Sequence, residues 1–207
     1  MKLLLLGATG PTGLQVVRRA HEEGHDITAL VRSPEKLPRL DDRLTVIVGD
    51  VTDQQTVADA ARGQDAVLCT MGTGKSLTSD VVGRTVDALV PALHTAGVDR
   101  LVFLSAFGVG RTKEQASRTQ RLFYRTLLRR IYPDKERADR ELLASGLDVT
   151  LVYPVRLTDQ PFDGKYRVGD RFDFAGMPGI SRANVAHFMV AQLADPTWSR
   201  RIAILAS

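Results

Sequence analysis

The first 24 residues join a short apolar run, three evenly spaced glycines and a segment with helical periodicity. Lys2–Leu6 is apolar without helical spacing and ends at a glycine, which predicts a buried β-strand. The glycines are Gly7, Gly10 and Gly13, and apolar side chains recur every three residues through 14–24. This order predicts a strand, a tight turn and a helix, the unit from which a parallel sheet covered by helices is built.

Each glycine has a separate physical role in such a turn. Gly7 lets the chain leave the strand sharply, Gly10 leaves room for a pyrophosphate, and Gly13 lets the helix approach the sheet. The free amides of the first helical turn and the positive end of the helix dipole form an anion site. A turn that only packs a helix onto a sheet is the alternative. We predict a dinucleotide-binding loop formed by Gly7, Thr9, Gly10, Pro11, Thr12 and Gly13.

The residue after the second predicted strand, Asp26–Val31, bears on the choice of dinucleotide. In a fold that prefers NAD, an acidic residue here accepts hydrogen bonds from the adenosine ribose. This chain has Arg32 instead, followed by Ser33 and, one turn later, by Lys36. Because a guanidinium recognises phosphate, we predict NADP(H) as the cofactor. The alternative is a surface arginine at a strand end.

Asp50 and Val51 follow the third predicted strand, Leu44–Val48. In this kind of fold the pair at that position lies against the adenine. Either Asp50 or Thr52 can otherwise serve only as the cap of the helix predicted over Asp53–Ala61. We therefore predict a contact of Asp50 and Val51 with the cofactor and keep capping as the alternative.

The fourth predicted strand, Asp65–Thr70, ends in a glycine-containing run. Its last part, 74–76, reads Gly-Lys-Ser, the end of a phosphate-binding loop of nucleoside triphosphatases. That pattern requires a glycine five positions before Gly74, where this chain has Cys69. We therefore expect a tight turn that passes the ribose and nicotinamide, formed by Met71, Gly72 and Thr73.

Two further strand ends supply the candidate catalytic residues. Ser105 ends the fifth predicted strand, and its hydroxyl can bind the nicotinamide or the substrate unless it only satisfies the strand end. Pro154 closes the sixth strand and is expected beside the cofactor. Segment 156–180 is rich in Gly, Pro, Asp and Phe without helical period, which predicts a substrate loop in the form of a lid or short hairpin. Arg156 begins it and can pair with an acidic substrate group or remain solvated.

Six apolar runs alternate with helical segments along the chain. This predicts a single α/β domain over 1–207 with a doubly wound, mostly parallel sheet and helices on both faces, the Rossmann fold. In such sheets ligands lie beyond the carboxyl ends of the strands, where all the candidate residues fall. Two of the predicted helices are Lys113–Ile131 and Asp134–Ala144, with a break at Pro133.

The composition, 43% hydrophobic and 25% charged, is ordinary for a globular domain. No apolar run approaches the ~20 residues of a membrane span, and Leu3–Leu6 is too short for the core of a signal peptide. The single cysteine, Cys69, excludes an internal disulfide and suits a reducing compartment. The four histidines show no metal-ligand spacing. We expect a cytoplasmic protein without membrane contact or bound metal.

Positive charge is concentrated in residues 111–140, which hold ten Lys and Arg against four Asp and Glu, a net charge of +6. A solvated helix face is the simplest interpretation. A funnel for an anionic substrate and a nucleic-acid patch are the alternatives. No recognised nucleic-acid motif accompanies the charge, so nucleic acid is not expected as a partner.

These segments together resemble the atypical short-chain dehydrogenase/reductases, in the NAD(P)H-binding group of NmrA-like proteins. Within that group the chain is similar to the flavin reductase/biliverdin IXβ reductase type. The resemblance covers nearly the whole chain. It is carried, in order, by GATGPTG at 7–13, LVRSPEKLP at 30–38, VIVGDV at 46–51, DAVLCTMGT at 65–73, SAF at 105–107, ELLASGLDVTLVYP at 141–154 and TDQPFDGKY at 158–166.

The resemblance implies NADP(H) binding and hydride transfer to a planar, anionic acceptor: a flavin (FMN or FAD as substrate), a linear tetrapyrrole or a quinone. The Tyr-x-x-x-Lys pair of many short-chain dehydrogenases is absent, as it is from the flavin reductase type. Arg156 stands where that type tends to carry a histidine. A non-catalytic NADP(H) sensor and an epimerase are the alternative functions. A monomer or homodimer is expected.

Overall fold

The computed structural model describes residues 1–72, 80–116, 131–174, 176–195 and 197–207. Ten strands lie in these residues: β1 (Lys2–Leu6), β2 (Asp26–Val31), β3 (Leu44–Val48), β4 (Ala66–Cys69), β5 (Arg100–Leu104), β6 (Asp148–Pro154), β7 (Arg156–Thr158), β8 (Arg167–Gly169), β9 (Gly179–Ser181) and β10 (Arg201–Ala206). Eight of them form one sheet in the order β3-β2-β1-β4-β5-β6-β10-β8. Only β8 is antiparallel to its neighbour, so the predicted doubly wound, mostly parallel sheet is confirmed.

Five α-helices of the described residues cover this sheet: α1 (Pro11–Glu22), α2 (Gln54–Ala61), α3 (Val81–Ala96), α4 (Tyr132–Ala144) and α5 (Arg182–Ala191). Helix α1 packs against α5, while α3 packs against both α2 and α4. The centre of the core is β1, in which Leu3–Leu6 are fully buried between β2 and β4. None of these helices combines the length and apolar character needed to cross a membrane.

The region around Pro133 differs from the prediction of a helix broken at this residue. Helix α4 begins at Tyr132, so Pro133 lies in its first turn, where the missing amide hydrogen breaks no intrahelical bond. The helix predicted from Lys113 is also wrong at its start, because Gly110–Gln115 forms a 3₁₀ helix. The remainder of that predicted helix, 117–130, lies outside the described residues.

Segment 156–180 is not the predicted hairpin, because its strands do not pair consecutively. β7 pairs in parallel with β9, and β8 pairs with β10 at the edge of the main sheet. The part between β7 and β8 is fastened to α5, since the amide of Asn184 donates to Asp163 at 2.8 Å. Much of the predicted substrate loop is therefore held by backbone pairing and by α5.

A polar contact between Tyr166 and His187 joins the same segment to α5, and it makes the stability of the protein depend on pH. The Tyr166 hydroxyl lies 2.7 Å from Nδ1 of His187, and burial is the main cause that lowers the pKa of His187 from 6.5. As the pH falls below 6.5, the unfolded chain takes up a proton that the folded chain resists, so stability present above that pH is lost. We expect the free energy of unfolding in urea to fall more between pH 7.5 and 5.5 for the wild type than for His187→Gln. Equal losses in the two proteins would refute this role.

Candidate functional site

Most of the predicted cofactor-binding residues line one cleft at the carboxyl ends of β1, β2 and β4. The cleft has a volume of about 190 Å³. Its lining includes eight predicted residues: Gly7, Thr9, Gly10, Arg32, Ser33, Val51, Met71 and Gly72. Leu30, Val31, Lys36 and Thr70 complete it. Thr73 lies outside the described residues, so its predicted contact stays a prediction.

The three glycines of the loop differ in what a side chain would meet. Gly7 has a φ of +80°, and a Cβ atom there would lie 2.8 Å from the carbonyl carbon of Thr70. At Gly13 a Cβ would lie 2.1 Å from the oxygen of Gly7. At Gly10 the nearest atom is the oxygen of Gly7 at 3.4 Å. Gly7 and Gly13 therefore serve the turn and the packing, whereas the open side of Gly10 belongs to the cleft.

The start of α1 leaves hydrogen-bond donors for a ligand. Gly10 is the N-cap residue and supplies no capping side chain, and its own amide donates to Gly7 at 3.0 Å. Pro11 has no amide hydrogen, and the amides of Thr12 and Gly13 have no acceptor within the helix. These amides and the helix dipole suit a pyrophosphate. Pro11, Thr12 and Gly13 thus build the helix start, although they do not line the cleft.

The adenosine end of the cleft is cationic. Arg32 and Lys36 line it together with the hydroxyl of Ser33, and none of its described lining residues is acidic. An acid that would accept from a ribose 2′-hydroxyl is thus absent from this lining, whereas two cations and a hydroxyl suit a 2′-phosphate. The residues fit NADP(H) at this position.

Asp50 supports this end of the cleft without lining it. Its carboxylate accepts from the amide and the hydroxyl of Thr52, each at 2.9 Å, and these bonds lower its pKa. The turn so fixed places Val51 at the cleft. Neither Asp50 nor Thr52 caps α2, because that role belongs to Asp53, which accepts from the amide of Thr56 at 2.7 Å.

Ser105 belongs to a buried polar group that we name the Asp139 cluster: Ser105, Lys135, Asp139 and Tyr153. The hydroxyls of Ser105 and Tyr153 both donate to the same oxygen of Asp139, at 2.6 Å each. The other oxygen of Asp139 is buried and has no hydrogen-bond partner. Lys135 lies one turn earlier on α4 and is 8% exposed. Elements β5, β6 and α4 therefore meet in one polar cluster inside the core.

Burial sets the protonation behaviour of this cluster. Desolvation raises the pKa of Asp139 and lowers that of Lys135, while their mutual attraction opposes both shifts. Desolvation, followed by the Asp139 charge, raises the pKa of Tyr153 far above its usual range. Tyr153 therefore remains a hydrogen-bond donor at neutral pH. The Ser105 hydroxyl hydrogen is likewise committed to Asp139, so a ligand at Ser105 meets an acceptor rather than a donor.

The two remaining predicted residues, Pro154 and Arg156, have different positions. The carbonyl oxygen of Pro154 accepts from the amide of Phe107 at 3.0 Å, which ties the ends of β5 and β6 together. Arg156 is exposed on β7, and no hydrogen bond joins it to Ser105 in the described part of the chain. The catalytic roles of Ser105 and Arg156 both stay predictions.

Aromatic side chains follow β5 and β8. Phe107 is buried and meets the edge of Phe174 at a centroid distance of 5.1 Å, and Phe174 stacks on Phe172 at 5.3 Å. The guanidinium of Arg167 lies over Phe172, 5.2 Å from its centroid. Phe162, from the same segment 156–180, does not join this group and lies against His187. The half-buried rings of Phe172 and Phe174 thus give an apolar aromatic surface next to a cation.

The sequence motif Tyr-x-x-x-Lys does not reveal Lys135, Asp139 and Tyr153, because these residues do not have that spacing. The partners of Asp139 come from β5 and β6, 34 and 14 residues away. One signal was available. Lys135 and Asp139 share a face of α4 with Ala138 and Leu142, and charged residues on an apolar face indicate a buried pair.

The charge balance of the Asp139 cluster gives a stability prediction. Asp139→Asn retains an acceptor for Ser105 and Tyr153 but removes the negative charge whose attraction raises the pKa of the buried Lys135. Hydrogen bonds to a charged group contribute about 1.5–3 kcal/mol, and we expect a loss of that order in the free energy of unfolding measured in urea. Adding Lys135→Met should recover part of it, because the cluster then holds no buried charge. A loss under about 1 kcal/mol in the single variant would contradict this contribution of the Asp139 charge.

The family model for NAD(P)H-binding proteins matches residues 7–196. A relative, the uncharacterized sugar epimerase YhfK of Bacillus subtilis (strain 168), is 29% identical over 210 residues, which cover 97% of this chain and 92% of that protein. ChuY, an anaerobillin reductase from Escherichia coli O157:H7, has a TM-score of 0.82 at 22% identity, covering 100% of this chain and 97% of ChuY.

A short-chain dehydrogenase/reductase from Veillonella parvula DSM 2008, solved in complex with NADP, has a TM-score of 0.84 at 19% identity, with 100% and 94% of the two chains covered. At these identities the two solved structures establish the Rossmann fold alone. The family match is broader evidence, because it extends from the glycine loop to beyond α5. The chain is therefore a member of the NAD(P)H-binding family, as its resemblance to the NmrA-like group predicted.

Proposed function

We propose that this protein is an NADPH-dependent reductase that transfers hydride to a planar acceptor of the flavin, linear tetrapyrrole or quinone class. The observation that carries the cofactor choice is the cationic adenosine end of the cleft, formed by Arg32, Ser33 and Lys36 without a described acid. A 2′-phosphate there would receive charge-assisted hydrogen bonds, which NAD(H) lacks the group to accept.

The acceptor class is supported by the aromatic surface near the ends of β5 and β8. Phe172 and Phe174 stack on each other and stay half-buried, which leaves an apolar aromatic surface, and Arg167 adds positive charge over Phe172. A planar molecule with acidic substituents matches both features. The anaerobillin reductase activity stated for ChuY, which shares the fold, supports the same class.

The chain's own residues bind and orient in this proposal. The glycine loop and the start of α1 hold the pyrophosphate, and Ser105 offers an acceptor to an amide donor, because Asp139 fixes its hydroxyl hydrogen. Bound NADPH supplies the hydride. The accompanying proton comes from water, since reduction of a flavin-like ring needs stacked rings and correct positioning more than a protein acid.

A second candidate is a non-catalytic NADP(H) sensor. It is supported by the hydrogen bonds that the buried hydroxyl groups already make within the protein. Those of Ser105 and Tyr153 donate to Asp139, and that of Tyr132 donates to the carbonyl of Phe107 at 2.9 Å. A group that must protonate a substrate would have to give up one of these buried bonds. The name of the Bacillus subtilis relative makes a sugar epimerase a third candidate.

The test is oxidation of NADPH in the presence of FMN, FAD, a biliverdin or a quinone, followed by the absorbance of the reduced nicotinamide. We expect turnover above the uncatalysed background with at least one acceptor. Ser105→Ala should lower kcat by about tenfold, the equivalent of about 1.4 kcal/mol. Arg156→Ala should raise KM if that side chain pairs with an acidic acceptor. The control is Arg62→Ala, which removes an exposed arginine directly after α2 and should leave both constants unchanged.

Tight NADPH binding without turnover on any acceptor would favour the sensor. Turnover of a nucleotide sugar without net oxidation of the cofactor would favour the epimerase. Equal affinity for NADPH and NADH would contradict the cofactor assignment whichever reaction is found.

A further inference from the structure

A second cavity, of about 590 Å³, lies apart from the dinucleotide cleft and shares none of its described lining residues. It opens near the edge of the sheet formed by β10 and β8. The first residues of β10 pair with the amino-terminal half of β6, so the cavity reaches toward the opposite ends of the strands from the glycine loop. Four arginines from three segments line it: Arg111, Arg171, Arg200 and Arg201.

The positive charge of this cavity is incompletely balanced. Its described acids are Glu114 and Asp170, and Asp170 lies 3.7 Å from Arg201. In the part of the chain that the structure describes, the guanidinium groups of Arg111 and Arg171 have neither an ion pair nor a hydrogen bond. Guanidinium groups that line one concavity without enough carboxylates are suited to bidentate binding of phosphate or carboxylate groups.

The backbone that carries these arginines is held in place. The side chain of Gln115 donates to the carbonyl of Asp170 at 3.4 Å and accepts from the amide of Phe172 at 3.1 Å. Arg171 lies between these two bonds, so its backbone is fixed to the 3₁₀ helix that carries Arg111. The guanidinium of Arg201 lies over the ring of Trp198, 4.4 Å from its centroid. The cationic walls are thus preorganised at the level of the main chain.

The cavity also has an apolar part in its lining, and its volume indicates which ligands could fit. Leu143 is 45% exposed at the cavity, and Ile202 is half-buried there. A volume of this size accommodates an organic molecule of nucleotide dimensions. Glu114 and Asp170 interrupt the positive surface, which suits a compact anion better than the continuous phosphate backbone of a nucleic acid.

We propose that this cavity is a second ligand site, which binds a small organic polyanion with two or more phosphate or carboxylate groups while the dinucleotide occupies its own cleft. The proposal gives Arg111, at the start of the basic stretch 111–140, a ligand. It does not depend on the reaction that the dinucleotide cleft performs.

The test is isothermal titration of the full chain at the lowest NADP⁺ concentration that fills the dinucleotide cleft, because NADP⁺ in excess is itself a polyanion that could occupy the second site. ATP presents phosphates on an apolar body, citrate presents carboxylates, and pyrophosphate presents phosphates without the body. We expect ATP or citrate to bind at low salt, and ATP to bind more tightly than pyrophosphate if phosphate is the preferred group. Binding should weaken at least tenfold in the double variant Arg111→Gln/Arg171→Gln.

The matched control is Arg18→Gln/Arg62→Gln, which removes the same charge from exposed positions on α1 and after α2. It should bind the polyanion as the wild type does, and both double variants should retain the wild-type affinity for NADP⁺. The proposal is overturned if none of the three probes binds the wild type at millimolar concentration. It is equally overturned if the control pair weakens binding as much as the cavity pair, because net charge alone would then explain it.

Discussion

Replacing Gly10 by valine is expected to abolish NADPH binding while leaving the protein folded. The backbone at Gly10 has φ −75° and ψ 162°, a conformation open to any residue, and a Cβ there meets no atom closer than 3.4 Å. The fold therefore tolerates the side chain. The cleft does not, because the added methyl groups occupy the space that a pyrophosphate needs at the start of α1.

Fluorescence titration with NADPH measures the effect, and thermal unfolding reports on the fold. Gly10→Ala should weaken binding less than Gly10→Val, since it fills less of the space. Gly13→Val is the informative contrast, because its Cβ would lie 2.1 Å from the oxygen of Gly7 and should destabilise the protein itself. A folded Gly10→Val protein that still binds NADPH would show that the pyrophosphate lies elsewhere.

Arg32→Glu is expected to reverse the preference between the two nicotinamide cofactors. Loss of a charge-assisted contact costs about 1.5–3 kcal/mol, which corresponds to about 10- to 150-fold in NADPH affinity. The new carboxylate would also repel a 2′-phosphate and can accept hydrogen bonds from the free ribose hydroxyl of NADH. NADPH binding should therefore weaken while NADH binding strengthens.

Titrating both cofactors against both proteins checks this expectation. Arg39→Glu is a matched control, because Arg39 is exposed in the same connection after β2 but does not line the cleft. It should change the affinity for NADPH only slightly, and more at low salt than at high salt. An unchanged cofactor ratio in Arg32→Glu would remove Arg32 from the binding site.

The sheet and the cleft were predictable because their signals are local. The predicted ranges of β1, β2 and β3 coincide with the observed strands. Each is a short apolar run bounded by polar or turn residues, a pattern that burial in a parallel sheet imposes on β1 and β2, whereas Val46 and Val48 are exposed on the edge strand β3. The cleft followed from the same logic, because the residues after parallel strands meet at one edge of the sheet.

The Asp139 cluster and the course of segment 156–180 depend on contacts that sequence spacing does not reveal. Ser105 and Asp139 are 34 residues apart, and only the packing of α4 against the core brings them together. The pairing of β8 with β10 joins residues of which only β10 carries a clear strand pattern. The sequence marked segment 156–180 as irregular, but three-residue strands are too short to show periodicity.

The position of β8 has a consequence for how this protein can evolve. This strand of three residues comes from the segment that carries the aromatic surface, and it covers the outer edge of β10. A short terminal strand protects a sheet from pairing with other molecules. Insertions or deletions that reshape the aromatic surface must therefore preserve β8, or they will expose the backbone of β10 and favour aggregation. Changes in the aromatic surface and protection of the sheet edge therefore depend on the same few residues.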